Sequence, residues 1–241
     1  MTTDSAGSGV LPLSNANEKA AIHHIAFKVA FEEFDELIDW YRNVLDMDVN
    51  FRGKQIDLEV CFLANDRANH RLVFVTRPGI ERDPTYRGRA RLDHSAFEFA
   101  TIDGLLEKYA ALRDQGIHPY MSIDHGLTLS LYYRDPTGHG VELQTDAHGD
   151  WSSSKQWMHV ASEFAANPAG ILFDPDRVIE ARNAGASLDE LHRRIYDDGE
   201  FPPRPEQRAR LQMPPEKEPY LWDHSSWGPD HPTFDRRLGD R

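Results

Sequence analysis

The feature that most constrains this chain is an internal repeat of a short, strand-like segment. The sequence His24-Ile-Ala-Phe-Lys-Val29 recurs 70 positions later as His94-Ser-Ala-Phe-Glu-Phe99. Both segments alternate apolar with other residues and are rich in types that favour extended structure, so each is predicted to be a β-strand. A repeat at this spacing indicates that one supersecondary unit occurs twice, with the two segments in equivalent places.

Each copy continues with one amphipathic helix and three strands. Helices are predicted over 34–45 and 102–112, where apolar residues recur at helical spacing. Strands are predicted in two sets separated by turns rich in Asp, Gly, Pro and Asn, namely 49–52, 59–64 and 71–76, then 118–123, 128–133 and 141–145. The expected fold class is α+β, with paired βαβββ modules at 21–78 and 91–146. Pairing lets two curved sheets enclose a shared space.

Three side chains form a candidate metal site in that space. His24 and His94 occupy matching positions of the two opening strands, so we expect them to face each other. Glu142 stands between apolar neighbours in a predicted core strand, where a carboxylate is costly unless it is paired or binds a cation. Two imidazoles and one carboxylate that leave other positions open suit Fe(II) and its oxygen chemistry. A lone strand histidine is usually structural, and His23 is an alternative to His24, so the prediction depends on all three residues together.

Composition excludes several partners and compartments. The formal net charge of −13 argues against nucleic acid, whose phosphates need clustered Lys and Arg. No apolar run approaches the length of a membrane span. Residues 1–20 lack the basic and apolar segments of a signal peptide and are expected to form a flexible tail. The single cysteine, Cys61, lies in an apolar run, which predicts a buried structural thiol and a cytoplasmic location.

The chain changes character after residue 146. Residues 146–154 are predicted to be a polar linker and residues 174–198 to be helical, whereas 199–241 is rich in Pro, Arg and Asp with little periodicity. We expect 147–241 to form a helical and extended arm that wraps the paired modules or a neighbouring subunit of a homo-oligomer. Its tryptophans need a surface to pack against: Trp151, Trp157, Trp222 and Trp227.

The repeat and its motifs resemble the vicinal oxygen chelate superfamily. Within it, they look like the one-domain form of the type I extradiol ring-cleaving dioxygenases, over about residues 20–146. His24 in the His-Ile-Ala-Phe strand, His94 in Leu-Asp-His-Ser-Ala-Phe and Glu142 in Gly-Val-Glu-Leu match the positions where that family binds iron. The same fold also hosts isomerases, epimerases and drug-binding proteins, so the fold alone does not specify activity.

A second set of residues narrows the resemblance to the dioxygenases. The family's other functional residues match His70 in Asn-His-Arg-Leu-Val-Phe, His125 in Asp-His-Gly-Leu-Thr and Tyr132 in Leu-Tyr-Tyr-Arg-Asp-Pro-Thr-Gly. Tyr133 competes for the role of Tyr132, but strand alternation allows only one of them to face the metal. Singly, each residue would be taken as structural; together with the three ligands they form a specific pattern.

The resemblance implies extradiol cleavage of a catechol-type aromatic diol with O2, giving a muconic semialdehyde-type product in aromatic compound degradation. Fe(II) is the implied metal, and Mn(II) could replace it. His70 would act as acid–base residue close to O2, while His125 and Tyr132 would hydrogen-bond the substrate oxygen and the developing oxyanion.

Two rival functions share the fold. A glyoxalase-type isomerase or lyase usually needs a fourth, acidic ligand on the last strand of the first module. Aligning the two copies places Val73 opposite Glu142 at that position, and 70–76 contains no Asp or Glu. A non-catalytic drug-binding module would need neither the ligands nor His70, His125 and Tyr132.

Overall fold

The computed structural model describes residues 21–82 and 92–211 and has the expected α+β architecture. The first module contains β1 (Ile25–Lys28), a 3₁₀ turn (Phe31–Glu33), α1 (Phe34–Leu45), β2 (Asp48–Gln55), β3 (Leu58–Ala64) and β4 (Leu72–Thr76). The second contains β5 (His94–Glu98), α2 (Ile102–Asp114), β6 (Met121–Asp124), β7 (Thr128–Arg134) and β8 (Gly140–Asp146). Both predicted helices and all eight predicted strands are confirmed, with boundaries shifted by a few residues.

The two sheets have the same topology, as the repeat predicts. The first sheet has strand order β1-β4-β3-β2, and the second has β5-β8-β7-β6 followed by an extra strand, β9. The opening strand of each module pairs in parallel with the last strand of the same module. Ala26 lies opposite Val73 in the first sheet, and Ala96 lies opposite Glu142 in the second. This register confirms that Val73 and Glu142 are equivalent positions.

Helix α1 shows how the apolar pattern produces the layered packing. Apolar residues that recur at helical spacing along α1 are buried, namely Leu37, Ile38, Tyr41, Val44 and Leu45. They pack in one hydrophobic cluster with strand residues of both modules. Cys61 lies in this cluster, fully buried, and burial raises the pKa of its thiol to about 11. The expectation of a structural thiol is consistent with that environment.

Polar and aromatic contacts join the two modules near their opening strands. The Tyr41 hydroxyl donates to a carboxylate oxygen of Asp135 at 3.1 Å, a pair separated by 94 positions in the sequence. The ring of Phe27 in β1 lies 4.9 Å from that of His139. His139 in turn contacts the Ser95 hydroxyl of β5 at 3.0 Å. The opening strands of the two modules are therefore linked through His139.

The C-terminal arm forms α3 (Trp151–Val160), α4 (Ser162–Ala166), β9 (Ile171–Leu172), α5 (Pro175–Asn183), α6 (Leu188–Tyr196) and α7 (Pro205–Arg208). The helices over 174–198 are confirmed, with a break between α5 and α6. Strand β9, which pairs with β6, was not predicted. Phe173, Val178, Leu191 and Ile195 belong to the same hydrophobic cluster as the modules. This part of the arm therefore shares their core.

The prediction of a polar linker over 146–154 is wrong. Asp146 is the last residue of β8, and its carboxylate accepts from the Ser154 hydroxyl at 2.6 Å. Asp150 caps α3 by accepting from the backbone N–H groups of Ser152 and Ser153. The polar residues that suggested a linker are thus helix-capping and turn-forming residues. The predicted 1–20 tail, Trp222 and Trp227 lie outside the described residues.

No helix within residues 21–82 and 92–211 is long and apolar enough to cross a membrane.

Because the arm shares the core, truncating a buried arm residue is expected to destabilise the whole chain. Leu191 is fully buried, and Leu191→Ala should lower the free energy of unfolding by about 2–5 kcal/mol. The exposed neighbour provides a control, since Glu190→Ala should change stability by no more than about 0.5 kcal/mol. Urea unfolding followed by circular dichroism should show one transition for both variants. Two separate transitions would contradict a shared core.

Candidate active site

One predicted ligand pair is assembled in the second module. Nε2 of His94 in β5 lies 3.0 Å from Oε2 of Glu142 in β8. Glu142 is buried, with 4% of its surface exposed. Nδ1 of His94 lies 2.8 Å from Oδ2 of Asp93, which leaves Nε2 directed at Glu142. Strand alternation explains the pair, because His94 and Ala96 point to one face of the sheet and Ala96 lies directly opposite Glu142.

The geometry of this pair fits a shared cation. Two ligand atoms at about 2.1 Å from one metal, on adjacent positions at right angles, lie about 3 Å apart. The 3.0 Å separation of the His94 nitrogen and the Glu142 oxygen meets that condition. A carboxylate that holds the second nitrogen of a ligand histidine is also typical of metal sites, and Asp93 occupies that place.

His94 and Glu142 each change the pKa of the other. The hydrogen bond with the Glu142 carboxylate raises the pKa of His94 to about 9, against the opposing effect of burial. Burial raises the pKa of Glu142, but hydrogen bonds, first from His94 and then from Ser130, outweigh it and leave the pKa below its usual value. The buried Glu142 carboxylate therefore stays ionised and attracts a positive partner, which can be a proton on His94 or a metal ion.

Tyr132 and His125 extend this group along the same face. Tyr132 of β7 lies directly opposite Glu142 of β8, and its ring centroid is 5.3 Å from that of His94. The Tyr132 hydroxyl lies 2.9 Å from Nε2 of His125. Burial and the Glu142 charge raise the pKa of Tyr132 well above its usual range, so the phenol keeps its proton. We refer to His94, Glu142, Tyr132 and His125 as the carboxylate cluster.

The hydrogen bonds of His125 define its tautomer. Nδ1 lies 2.7 Å from the backbone carbonyl oxygen of Ala169, which can only accept, so Nδ1 carries the proton. Burial lowers the pKa of His125, which favours the neutral ring. Nε2 is then an acceptor, and the Tyr132 hydroxyl donates to it.

Tyr133 faces away from the carboxylate cluster. It lies opposite Val141 in the β7–β8 pair and packs in the main hydrophobic cluster. Tyr132 instead belongs to a smaller apolar group on the cluster's side of the sheet, with Ile123 and Leu172 and the partly buried Tyr120, Met121 and Leu211. Strand alternation therefore places Tyr132, and not Tyr133, in the carboxylate cluster, as expected.

The other two predicted residues, His24 and His70, lie together in the first module. Their ring centroids are 4.6 Å apart, and Nδ1 of His24 is 3.1 Å from Nδ1 of His23. One ligand atom from each of these three histidines lies within 4.8 Å of the others. His70 also packs against the ring of Phe62 at 4.8 Å. Desolvation, and then the neighbouring His24 and His23, lower the pKa of His70. We refer to His23, His24 and His70 as the histidine cluster.

The structure thus distributes the predicted site over two clusters, one in each module. Among the described residues, the histidine cluster is the group in which three potential metal ligands place their ligand atoms within 4.8 Å of one another. His24 forms no such group with His94 and Glu142, so the three-residue ligand set stays a prediction. For this ligand set to form, His24, just before β1, must lie close to His94 at the start of β5.

The acidic fourth ligand of a glyoxalase-type site has no counterpart in the first module. Val73 occupies the position equivalent to Glu142, and neither of its β4 neighbours, Leu72 and Phe74, is acidic. An apolar side chain cannot bind a metal, so the first sheet can offer histidines but no carboxylate from this strand.

The arm contributes features that the sequence did not reveal. The Ala169 carbonyl holds His125, and Leu172 and Leu211 border the apolar group beside Tyr132. Nε1 of Trp151 donates to Glu98 at 2.5 Å, at the end of β5. A backbone carbonyl carries no residue-type signal, which is why sequence patterns could not identify Ala169.

The chain is similar to known proteins of one superfamily. The model of the Glyoxalase/Bleomycin resistance protein/Dioxygenase superfamily matches residues 21–143. A biphenyl-2,3-diol 1,2-dioxygenase 2 from Rhodococcus globerulus is 36% identical over 158 residues, covering 66% of this chain and 80% of its own length. A biphenyl-2,3-diol 1,2-dioxygenase 3 from the same organism is 36% identical over 173 residues, covering 70% and 87%. A glyoxylase/bleomycin resistance protein/dioxygenase domain from Frankia sp. EAN1pec, a solved structure, gives a TM-score of 0.47 at 19% identity, covering 54% of this chain and 99% of that chain.

Removing the Glu142 charge should lower the pKa of His94. In the chelator-treated chain, Glu142→Gln should bring that pKa from about 9 towards the ordinary value of 6.5, as measured by NMR titration of the His94 ring. Asp93→Asn is the matched control and should cause a smaller decrease, since its hydrogen bond has the lesser effect. Because the folded pKa is raised, the pair's contribution to stability is present below about pH 6.5 and lost as the pH rises through about 9. An unchanged His94 pKa in Glu142→Gln would contradict the pairing.

Proposed function

Because the chain belongs to the glyoxalase/bleomycin resistance protein/dioxygenase superfamily, we propose that it catalyses Fe(II)-dependent extradiol cleavage of a catechol-type diol with O2. The resemblance to the extradiol branch of this family, predicted from the motifs, is confirmed by relatives at 36% identity. The single observation that carries the proposal is the buried Glu142 carboxylate, 3.0 Å from His94 and beside the Tyr132–His125 pair.

Under this proposal, His94, Glu142 and His24 hold the iron. Imidazole and carboxylate ligands in a 2:1 ratio suit Fe(II), and Mn(II) accepts similar ligands. When bound, the metal supplies adjacent positions at which the diol and O2 meet and exchange charge. The burial of Glu142 supports its role, because an ionised carboxylate at this depth requires a positive partner.

The residues beside the metal handle the protons of the reaction. The Tyr132 hydroxyl is protonated and donates a hydrogen bond to Nε2 of His125. Its oxygen can therefore accept a hydrogen bond from a substrate hydroxyl. Proton transfer from the diol to Tyr132, coupled to transfer from Tyr132 to His125, would leave a proton on Nε2. His125 and Tyr132 then stabilise the negative charge that develops on the substrate oxygen. His70, next to His24, is the proposed acid–base residue on the opposite side.

A bicyclic diol is the proposed substrate class. Both relatives are named for biphenyl-2,3-diol, whose second ring needs an apolar surface. The apolar group beside Tyr132 offers one, with Leu172 and Leu211 contributed by the arm. The rival isomerase activity is disfavoured, because Val73 occupies the position of the acidic fourth ligand.

The proposal predicts the response of the ligand residues. Iron-loaded chain mixed with 2,3-dihydroxybiphenyl should consume O2 and form a yellow ring-opened product, followed by absorbance and an oxygen electrode. His24→Ala, His94→Ala and Glu142→Ala should each lose most of the bound iron, because each removes one of three protein ligands.

His23→Ala is the matched control for His24→Ala. His23 belongs to the histidine cluster but not to the proposed ligand set, so His23→Ala should retain both iron and turnover. Loss of iron in His23→Ala, with full retention in Glu142→Ala, would assign the metal to the histidine cluster and contradict the proposal.

His70 should separate metal binding from turnover. Since it is proposed to move protons without holding the metal, His70→Ala should keep its iron but lower kcat by about 10²–10⁴-fold. Metal content and steady-state kinetics on the same preparation check both expectations. Unchanged kcat would refute the proposed role of His70.

A further inference from the structure

We propose that the C-terminal arm positions His125, using the Ala169–Gly170 backbone on one side and the His192–Asp124 contact on the other. This inference rests on the proposed function, in which His125 acts on the substrate with Tyr132. It assigns a task to a segment outside residues 21–143, the region matched by the family model. Ala169, Gly170 and His192 are positioning residues, since they touch His125 or its neighbour and not the reacting atoms.

The first side of this support is the backbone of the loop before β9. The Ala169 carbonyl accepts from Nδ1 of His125 at 2.7 Å, across 44 positions of sequence. This contact fixes both the ring orientation and the tautomer, because a carbonyl oxygen accepts and cannot donate. The Nε2 lone pair is thereby presented to the Tyr132 hydroxyl.

The loop approaches the backbone of 124–125 so closely that it requires glycine. Gly170 has φ of +96°, and a Cβ there would lie 2.2 Å from the Asp124 carbonyl oxygen and 2.7 Å from Cα of His125. The Asn167 side chain closes the loop, donating to the Gly170 oxygen at 2.7 Å and accepting from its N–H at 3.1 Å. The position of the Ala169 carbonyl is therefore defined by two features. The Asn167 side chain closes the loop, and Gly170 packs against the backbone of residues 124–125.

The second side of the support acts on the turn that carries His125. The fully buried Asp124 uses both carboxylate oxygens: Oδ1 accepts from the Gly126 N–H at 2.8 Å, and Oδ2 lies 2.6 Å from Nδ1 of His192 in α6. Burial opposes protonation of His192, but the Asp124 charge outweighs it and raises the pKa. The Asp124 carboxylate thus holds the turn that contains His125, and His192 of the arm holds the Asp124 carboxylate.

The arm also surrounds His192 with aromatic side chains. The Tyr196 ring stacks on His192 at 5.5 Å, and Trp157 and His148 pack edge-on at 6.1 and 5.2 Å. These contacts keep Nδ1 directed at Asp124. A misplacement of about 1 Å in a catalytic group costs on the order of a hundredfold in rate, so a support of this kind has a measurable effect.

The tautomer of His125 can be measured without any assay of activity. Two-bond ¹⁵N–¹H NMR of the chelator-treated, full-length chain distinguishes the two neutral tautomers, and His125→Gln identifies the His125 signals. The inference predicts a neutral ring protonated on Nδ1 at pH 7. A ring protonated on Nε2 alone would overturn it, whether or not the chain cleaves diols.

Gly170→Ala tests the loop, with Gly185→Ala as the matched control. Both glycines lie in the arm at positive φ, but a Cβ at Gly185 meets nothing within 4 Å. Both variants therefore carry backbone strain, and only Gly170→Ala moves the Ala169 carbonyl. We expect Gly170→Ala to lose the Nδ1-protonated signature and to lower kcat about a hundredfold with KM nearly unchanged. Equal NMR spectra and equal kcat in the two variants would overturn the inference.

Substitution of His192 tests the other side independently of Gly170. His192→Leu removes the donor to Asp124, whereas His192→Asn keeps a donor close to the position of Nδ1. His192→Leu should lower kcat and shift the His125 signals, whereas His192→Asn should restore most of both. His159 is an exposed residue of the arm, and the control His159→Leu should change neither kcat nor the His125 signals. Loss of kcat in both His192 variants with unaltered His125 signals would show a merely structural role.

The outcomes separate this inference from the proposed function. If the wild-type chain cleaves no diol, the proposed function fails, and the NMR comparison of wild type, Gly170→Ala and Gly185→Ala still decides the positioning of His125. If the wild type is active but His125 does not respond to the arm variants, the positioning fails alone.

Discussion

The Glu142 carboxylate, buried in the middle of β8, is the constraint on which the account of this protein depends. An ionised carboxylate at 4% exposure is costly unless a positive partner and hydrogen bonds offset its desolvation. His94 and Ser130 provide hydrogen bonds, and they leave the carboxylate ionised. A group that must stay charged in the interior, next to a histidine whose second nitrogen is already held by Asp93, is suited to bind a cation.

The repeat explains why this constraint occurs in only one of two similar sheets. Both sheets pair their first and last strands in parallel with matching register, so Val73 and Glu142 are the same position in two copies. In the first copy the position holds a buried apolar side chain, Val73, and in the second it holds a buried carboxylate, Glu142. The first module contributes the histidine cluster instead, with His24 just before β1 and His70 just before β4. The duplicated halves therefore offer different side chains, histidines from the first and a carboxylate with a histidine from the second.

Much of the fold was predictable because it depends on local periodicity. The apolar spacing of α1 and the alternation of the strands predicted the elements, and the match between His24 and His94 predicted the duplication. The residues of the carboxylate cluster were also predictable, since each carries a side-chain signal. The contacts of His125 with Ala169, and of Asp124 with His192, were not, because they join residues 44 and 68 positions apart through a backbone carbonyl and a surface helix. Strand β9 has two residues, too few to show a period.

The proposed ligand set draws one histidine from the histidine cluster and two residues from the carboxylate cluster. Iron K-edge X-ray absorption of the iron-loaded chain can identify the iron ligands, because imidazole rings give a multiple-scattering signal that can be counted. We expect two imidazoles, from His24 and His94, with oxygen ligands completing the coordination. Three imidazoles, with a spectrum unchanged in Glu142→Gln, would contradict it.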